Sequence, residues 1–207
     1  MTGQARGRRA LASIARAELV TVYGVNLSQL APGQEDPPGF AFRALNADDF
    51  GRGALFQEKN RAPVFRRMLL DGHRGYGYVT PQGEAISYLW LSSPRFGTAV
   101  VPFELGLSCR IGADSGYIWD CRTHGDYRKR GLYRCGLKHM QALCREAGLK
   151  SATIVSEVRN HPSQAAILAA GFTAGYNIAI LRLFGRLYVI SAGGRIFIRG
   201  RYGVVDL

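Results

Sequence analysis

The stretch YIWDCRTHGDYRKRGLYRCGLKHM, residues 117–140, changes character twice. It begins as a β-rich run that ends near Thr123, passes through a short polar loop, and at Gly131 opens an amphipathic helical pattern that runs to residue 147. A helix that starts there exposes several unpaired N–H groups at the positive end of its dipole, and such an end binds phosphate groups. Gly131 matters because a Cβ would hold an anion away from the amides, and Arg128, Lys129 and Arg130 add charge-assisted contacts. A plain solvated loop is the alternative reading, since R-x-x-G alone is a short pattern.

Outward from this stretch the chain alternates. Downstream come a strand, SATIVSEV (151–158), a helix, PSQAAILAA (162–170), stopped by Gly171, and a strand-rich tail from Phe172. The last segment, GGRIFIRGRYGVVDL, reads as an edge strand or hairpin with a wet basic face. Upstream, GYGYVT and EAISYLWLSS flank the turn PQGE as a hairpin, and AVVPFELGLSCRI with GYIWDCRTH are expected to pair around GADS (112–115). APVFRRMLLDG (62–72) reads as a helix ended by Gly72, FAFRAL (40–45) as a short strand, and Asp48 or Asp49 as the cap of a weaker helix over residues 50–60. This order predicts a mixed α/β (α+β) fold around a mostly antiparallel sheet flanked by helices.

The N-terminal RRALASIARAELVTV (8–22) places Leu11, Ile14, Ala15, Leu19 and Val22 at helical spacing, with arginines on another face. It is expected to be a basic amphipathic helix, packed on its own domain or used as a docking or transit segment. The turn-rich PGQEDPPG (32–39) then divides the chain into an extension and linker, 1–38, and a main domain, 39–207.

The 207 residues, 47% of them hydrophobic, suffice for one core, and 27 Lys+Arg against 15 Asp+Glu give a formal charge of +12. That balance favours anionic partners. Four cysteines, Cys109, Cys121, Cys135 and Cys144, show neither C-x-x-C pairing nor a Cys/His ligand cluster, so no metal site and no disulfide framework is expected. Reduced thiols and the lack of a long apolar run make the expected location cytoplasmic.

Residues 117–133 resemble the GCN5-related N-acetyltransferase (GNAT) family. YIWDCRTHGDYRKRGLY is similar to its fourth strand and acyl-CoA pyrophosphate loop, Q/R-x-x-G-x-G/A, with Arg128 and Gly131 matching and Tyr133 standing where a small residue is usual. NHPSQAAILAAGF is similar to the second signature through Asn160, Gly171 and Phe172. The likeness covers about residues 40–190, and its sharp motifs lie in 117–172.

The resemblance implies a splayed sheet in which Trp119–Thr123 parts from Ala152–Val158, with acetyl-CoA or another acyl-CoA lying in the gap. Its cofactor contacts would be Cys121, Arg122, Thr123, the loop residues Arg128, Lys129, Arg130, Gly131, Leu132 and Tyr133, and then Asn160 and Ser163. Transfer to an amine needs a proton acceptor, for which Asp120 comes first, Glu157 second and Glu104 third. It also needs a strand N–H for the oxyanion, near Arg122 or Thr123. A proton must reach the leaving thiolate. Many relatives use a tyrosine at the position of Ile167, so Tyr176, Tyr127 or Ser163 would take that role here. His124 could relay a proton, His139 reads as packing and His161 as a helix cap. A covalent acyl-cysteine at Cys121 or Cys135 lacks a paired base.

The implied function is acyl-CoA-dependent N-acyltransfer to a small amine, with the positive charge favouring an anionic acceptor. A non-catalytic acyl-CoA-binding module, a basic nucleic-acid-binding domain and a membrane-surface role are the alternatives, and a homodimer is left open.

Overall fold

The computed structural model describes residues 15–29, 35–52, 61–103, 107–184, 186–191, 196–199 and 204–206. The base candidate Glu104, the start of the expected N-terminal helix and residues 53–60 of the helix expected over 50–60 lie outside them.

Among the described residues the strands are β1 (Ala15–Asn26), β2 (Ala41–Ala44), β3 (Arg74–Val79), β4 (Ser87–Ser92), β5 (Val100–Pro102), β6 (Ser108–Arg110), β7 (Ser115–Thr123), β8 (Ser151–Glu157), β9 (Thr173–Leu183), β10 (Arg186–Ser191), β11 (Ile196–Arg199) and β12 (Val204–Asp206). The helices are α1 (Asp49–Arg52), α2 (Ala62–Leu70), α3 (Leu132–Glu146) and α4 (His161–Ala169). Nine strands form one sheet in the order β11-β10-β9-β1-β8-β7-β4-β3-β2, and β12-β6-β5 form a second. Every pairing in the large sheet is antiparallel except β7 with β8.

The hairpin β3–β4, the helices α2, α3 and α4 and the strand β8 lie where the sequence placed them. Gly171, at φ +95°, ends α4 in the left-handed region that glycine tolerates.

Two expectations are corrected. Ala15–Asn26 is a strand, not the second half of an amphipathic helix: Val20 pairs with Glu157 of β8 on one side and with Ile178 of β9 on the other. The large sheet therefore recruits the chain from Ala15, well before the boundary drawn at residues 38 and 39. A strand paired on both sides buries Val20 and Val22 on one face and Tyr23 on the other, which blurs the period of two. The expected pairing of 99–111 with 116–124 does not form either. β6 turns back on β5 within the small sheet, while β7 enters the large sheet between β4 and β8. The expected C-terminal edge is divided: β11 borders the large sheet, and β12 runs parallel to β6.

One core lies between the sheet and the pair α3 and α4, built from Leu89, Leu91, Ile118, Leu137, Met140 and Ile167. The opposite face carries an aromatic core of Phe50, Phe65, Tyr88, Trp90 and Trp119. Gly77 holds the hairpin closed, because a Cβ there would collide with the Ser87 carbonyl.

Candidate functional site

The site grows from the end of β7. Its ladder with β8 runs from Ser115↔Ser151 to Ile118↔Ile154 and stops. Beyond that point Trp119–Thr123 and Val155–Glu157 have no pairing with each other, the divergence that the resemblance implied. Burial follows: β7 is buried from Gly116 to Trp119 and half-exposed from Asp120 to Thr123.

The cause is a bulge. Arg122 opposes Tyr88 and Trp119 opposes Trp90, so Asp120 and Cys121 together face Leu89 alone. Asp120 takes the strain at φ +41°, in a region where aspartate is tolerated better than bulkier residues. The bend turns the strand end away from β8 and sets the Asp120 side chain beside α2. Arg61, just ahead of α2, donates from Nη2 to Asp120 Oδ2 at 2.7 Å, and the Tyr88 hydroxyl donates to Oδ1 at 3.3 Å. Burial and the Asp120 charge push the Tyr88 hydroxyl well above the ordinary phenol range.

After β7 the chain makes a tight turn over Gly125–Tyr127, for which His124 Nδ1 accepts from the Asp126 amide at 3.4 Å. His124 is thus a turn cap. Lys129 at φ +62° and Gly131 at φ +79° aim the main chain into α3 as a nest of amides. The Arg128 N–H is taken by the Gly125 carbonyl at 3.2 Å. Those of residues 129–134 have no main-chain acceptor among the described residues, and a Cβ at Gly131 would meet only open space. These groups fit a diphosphate.

The basic side chains divide their work differently from the expectation. Arg128 donates from Nε to the Thr123 carbonyl at 3.2 Å. Arg130 reaches the Asp126 carbonyl and stacks over Phe40 and Tyr127. Both brace the loop, and Lys129 alone of the three extends from it without a described partner. The Leu132 side chain is buried in the core beneath, where it supports the helix start.

Across the gap, Asn160 Oδ1 accepts from the Ser163 amide at 3.3 Å, so Asn160 caps α4, a role the sequence reading offered to His161. The Tyr133 hydroxyl, from the first turn of α3, lies 3.3 Å from Ser163 Oγ, with the Cys121 thiol beside it. β7, α3 and α4 thereby meet at one phenol, at the position where the loop pattern has a small residue. Burial raises the Tyr133 hydroxyl well above its ordinary range, so it stays protonated. Sequence reasoning counted Tyr133 only as an amide contact, and its size was the available signal.

The other acid–base candidates are spread out. Ile167 is fully buried. Tyr176 sits on β9, with Asp206 as its charged neighbour. β8 and β1 separate it from β7, three strand spacings or roughly 14 Å. It is not brought to Asp120. Tyr127 is packed edge-on against Phe40. Glu157 is exposed at the end of β8, and its carbonyl accepts from Gln164. His139 packs as expected, stacked on Phe42, and also donates to Asp36 at 2.7 Å. Burial pushes the Cys121 thiol up, the reverse of what a nucleophilic cysteine needs. No group of metal-ligating side chains occurs among the described residues, and no described helix is long and apolar enough to cross a membrane.

With a bulged strand, a splayed parallel pair and an open amide loop, the fold is that of the GCN5-related N-acetyltransferases. No protein-family profile and no curated protein matches the chain. Solved structures do. One is a GCN5-related N-acetyltransferase from Sphaerobacter thermophilus, at 14% identity and TM-score 0.52, over 100% of this chain and 59% of that one. A GNAT-family acetyltransferase from Colwellia psychrerythraea is 12% identical with TM-score 0.54, over 88% and 63%. A Drosophila protein is 14% identical with TM-score 0.59, over 88% and 58%. The chain thus spans about three fifths of the length of these structures.

Proposed function

We propose that the protein is an acyl-CoA-dependent N-acyltransferase, with acetyl-CoA as the first donor to test and a small amine as acceptor. The observation that carries this reading is the end of the β7–β8 ladder at Ile118↔Ile154, directly beside a loop whose amides from 129 to 134 have no main-chain acceptor among the described residues. A diphosphate on the loop would leave its pantetheine arm to run back along Thr123 and Cys121, pairing with strand groups that β8 no longer reaches. The thioester would then arrive at the bulge.

There Asp120 would receive the proton of the acceptor ammonium, and the amine would attack the thioester carbonyl carbon. A β7 amide at the bulge would hold the oxyanion. As the tetrahedral species collapses, the C–S electron pair leaves with sulfur. Tyr133, protonated and 3.3 Å from Ser163 Oγ, would donate to it. The raised Cys121 thiol supports direct transfer over an acyl-cysteine.

Calorimetric titration with coenzyme A tests the reading. The wild type should bind, whereas Gly131→Glu and Lys129→Glu should weaken binding at least about tenfold, by placing an anion in the diphosphate nest. Melting curves check that both variants remain folded. Wild-type affinity in both would sink the assignment of the loop. Cofactor binding with no thiol release for any amine would leave a binding module instead.

A further inference from the structure

The carboxylate proposed as base is already occupied by a cation of the chain itself. Arg61 donates to Asp120 Oδ2 at 2.7 Å and to the Tyr88 hydroxyl at 2.9 Å, and that hydroxyl donates to Asp120 Oδ1 at 3.3 Å, closing a triangle. The guanidinium carbon lies 5.0 Å from the centre of the Phe65 ring and 5.9 Å from that of Tyr88. The pair is neither sealed nor fully wet, with side-chain exposures of 28% for Arg61 and 26% for Asp120.

An arginine does not give up its proton. While it holds Oδ2, a permanent cation stands where an acceptor ammonium must come to lose its proton, so binding exchanges one cation for another. An acceptor that brings only an ammonium leaves Arg61 half-buried without an anion, which is unfavourable. An acceptor that carries its own carboxylate balances the exchange: its ammonium takes Asp120, and its carboxylate takes the released guanidinium, whose planar fork fits two oxygens.

We infer that, on the acyltransferase reading, the acceptor is a small zwitterion of the amino-acid type, with Arg61 as its carboxylate-binding residue and Asp120 as its ammonium site. The contact distance between the two side chains sets the size. Amine and carboxylate separated by one or two carbons can reach both partners, and the Phe65 and Tyr88 rings keep the guanidinium close by. In balance, the ammonium gives one proton to Asp120 and the nitrogen lone pair forms the C–N bond. The C–S bond then breaks toward sulfur, the second nitrogen proton is lost as the thiolate gains one, and Asp120 returns its proton to solvent. The products are an N-acyl amino acid and free coenzyme A.

The test is thiol release from acetyl-CoA and from hexanoyl-CoA, with glycine, β-alanine, glycinamide and ethylamine as acceptors. The wild type should prefer the two carboxylate-bearing acceptors about 100-fold in kcat/KM, as a site left with an unpaired polar group rejects the analogue lacking its partner. Arg61→Met should remove about 100-fold from glycine and with it the preference, leaving glycine and ethylamine within about threefold of each other. Arg61→Lys, which keeps the charge and much of the bulk, should retain about a tenfold preference for glycine over glycinamide, and melting curves report whether the variants fold. Glycinamide used as well as glycine by the wild type, or equal losses for glycine and ethylamine in Arg61→Met, overturns the zwitterion while leaving N-acyltransfer standing. Coenzyme A binding without thiol release for any acceptor overturns the acyltransferase reading and the inference with it.

Discussion

Asp120 shows what one residue carries. Replacing it by asparagine keeps the shape of the bulge but removes the proton acceptor and strips Arg61 of its counter-charge. Asp120→Asn should bind coenzyme A within about twofold of wild type and transfer acyl groups about 100-fold or more slowly. Unchanged turnover would remove Asp120 from the chemistry. The sequence pointed to this aspartate through its place before the loop, yet gave no sign of Arg61, which joins it from 59 residues away in the chain. His73 offers a second residue-level outcome. It is buried, its Nδ1 lies 2.8 Å from Ser92 Oγ, the Trp119 ring stands edge-on to it, and Trp119 Nε1 donates to the same Ser92 oxygen. Burial lowers its pKa below the ordinary histidine value, and the nearby Asp71 opposes this only in part. The folded state then binds fewer protons than the unfolded chain as pH falls through about 6.5. His73 should therefore contribute a loss of stability on acidification from neutral pH that levels off once pH is below its folded value. Urea midpoints at pH 7.5 and 5 should differ less in His73→Gln than in wild type. An equal difference would place the pH dependence elsewhere.

Elements succeed or fail as readings according to how many neighbours they have. α3 buries one face and shows it in its spacing, and α4 is marked by its Asn160 cap and the Gly171 that ends it, whereas β1 is paired on both edges and buries residues on both faces at its middle. Its leucine and valines then fit a helical repeat as well as a strand, and the β-branched run Val20, Thr21, Val22 was the signal to weigh against it. The turn GADS was read correctly as a turn, but a turn says where the chain reverses and not which strand it meets next. The meeting of α3 and α4 at Tyr133 belongs to this scale too, because it is made by two helix starts from signatures that are separate in the sequence. Tyr133→Phe should keep coenzyme A affinity within about threefold and lower kcat about 10- to 100-fold, if the hydroxyl serves the leaving thiolate. Undiminished kcat would reduce Tyr133 to packing. In the β3–β4 hairpin, Gly77→Ala should destabilise the fold by about 1–3 kcal/mol by forcing Ser87 away, read as a lowered denaturation midpoint.

Across the whole molecule, the early strand β1 is an interior member of the large sheet, flanked by β8 and β9. Removing residues 1–26 would expose two long strand edges at once, so the truncated chain should lose cooperative unfolding, whereas a detachable helical extension would leave it intact. Circular dichroism melts decide between these outcomes. The placement also sets a schedule for biogenesis. Val20 waits for Glu157, so at a translation rate of about 5–20 residues per second the opening strand spends roughly 7–30 s outside the ribosome before its first neighbour is made. For that interval a nascent chain with two unsatisfied hydrogen-bonding margins is a natural client for chaperones, and its yield on expression should depend on them more than on the strength of the finished fold.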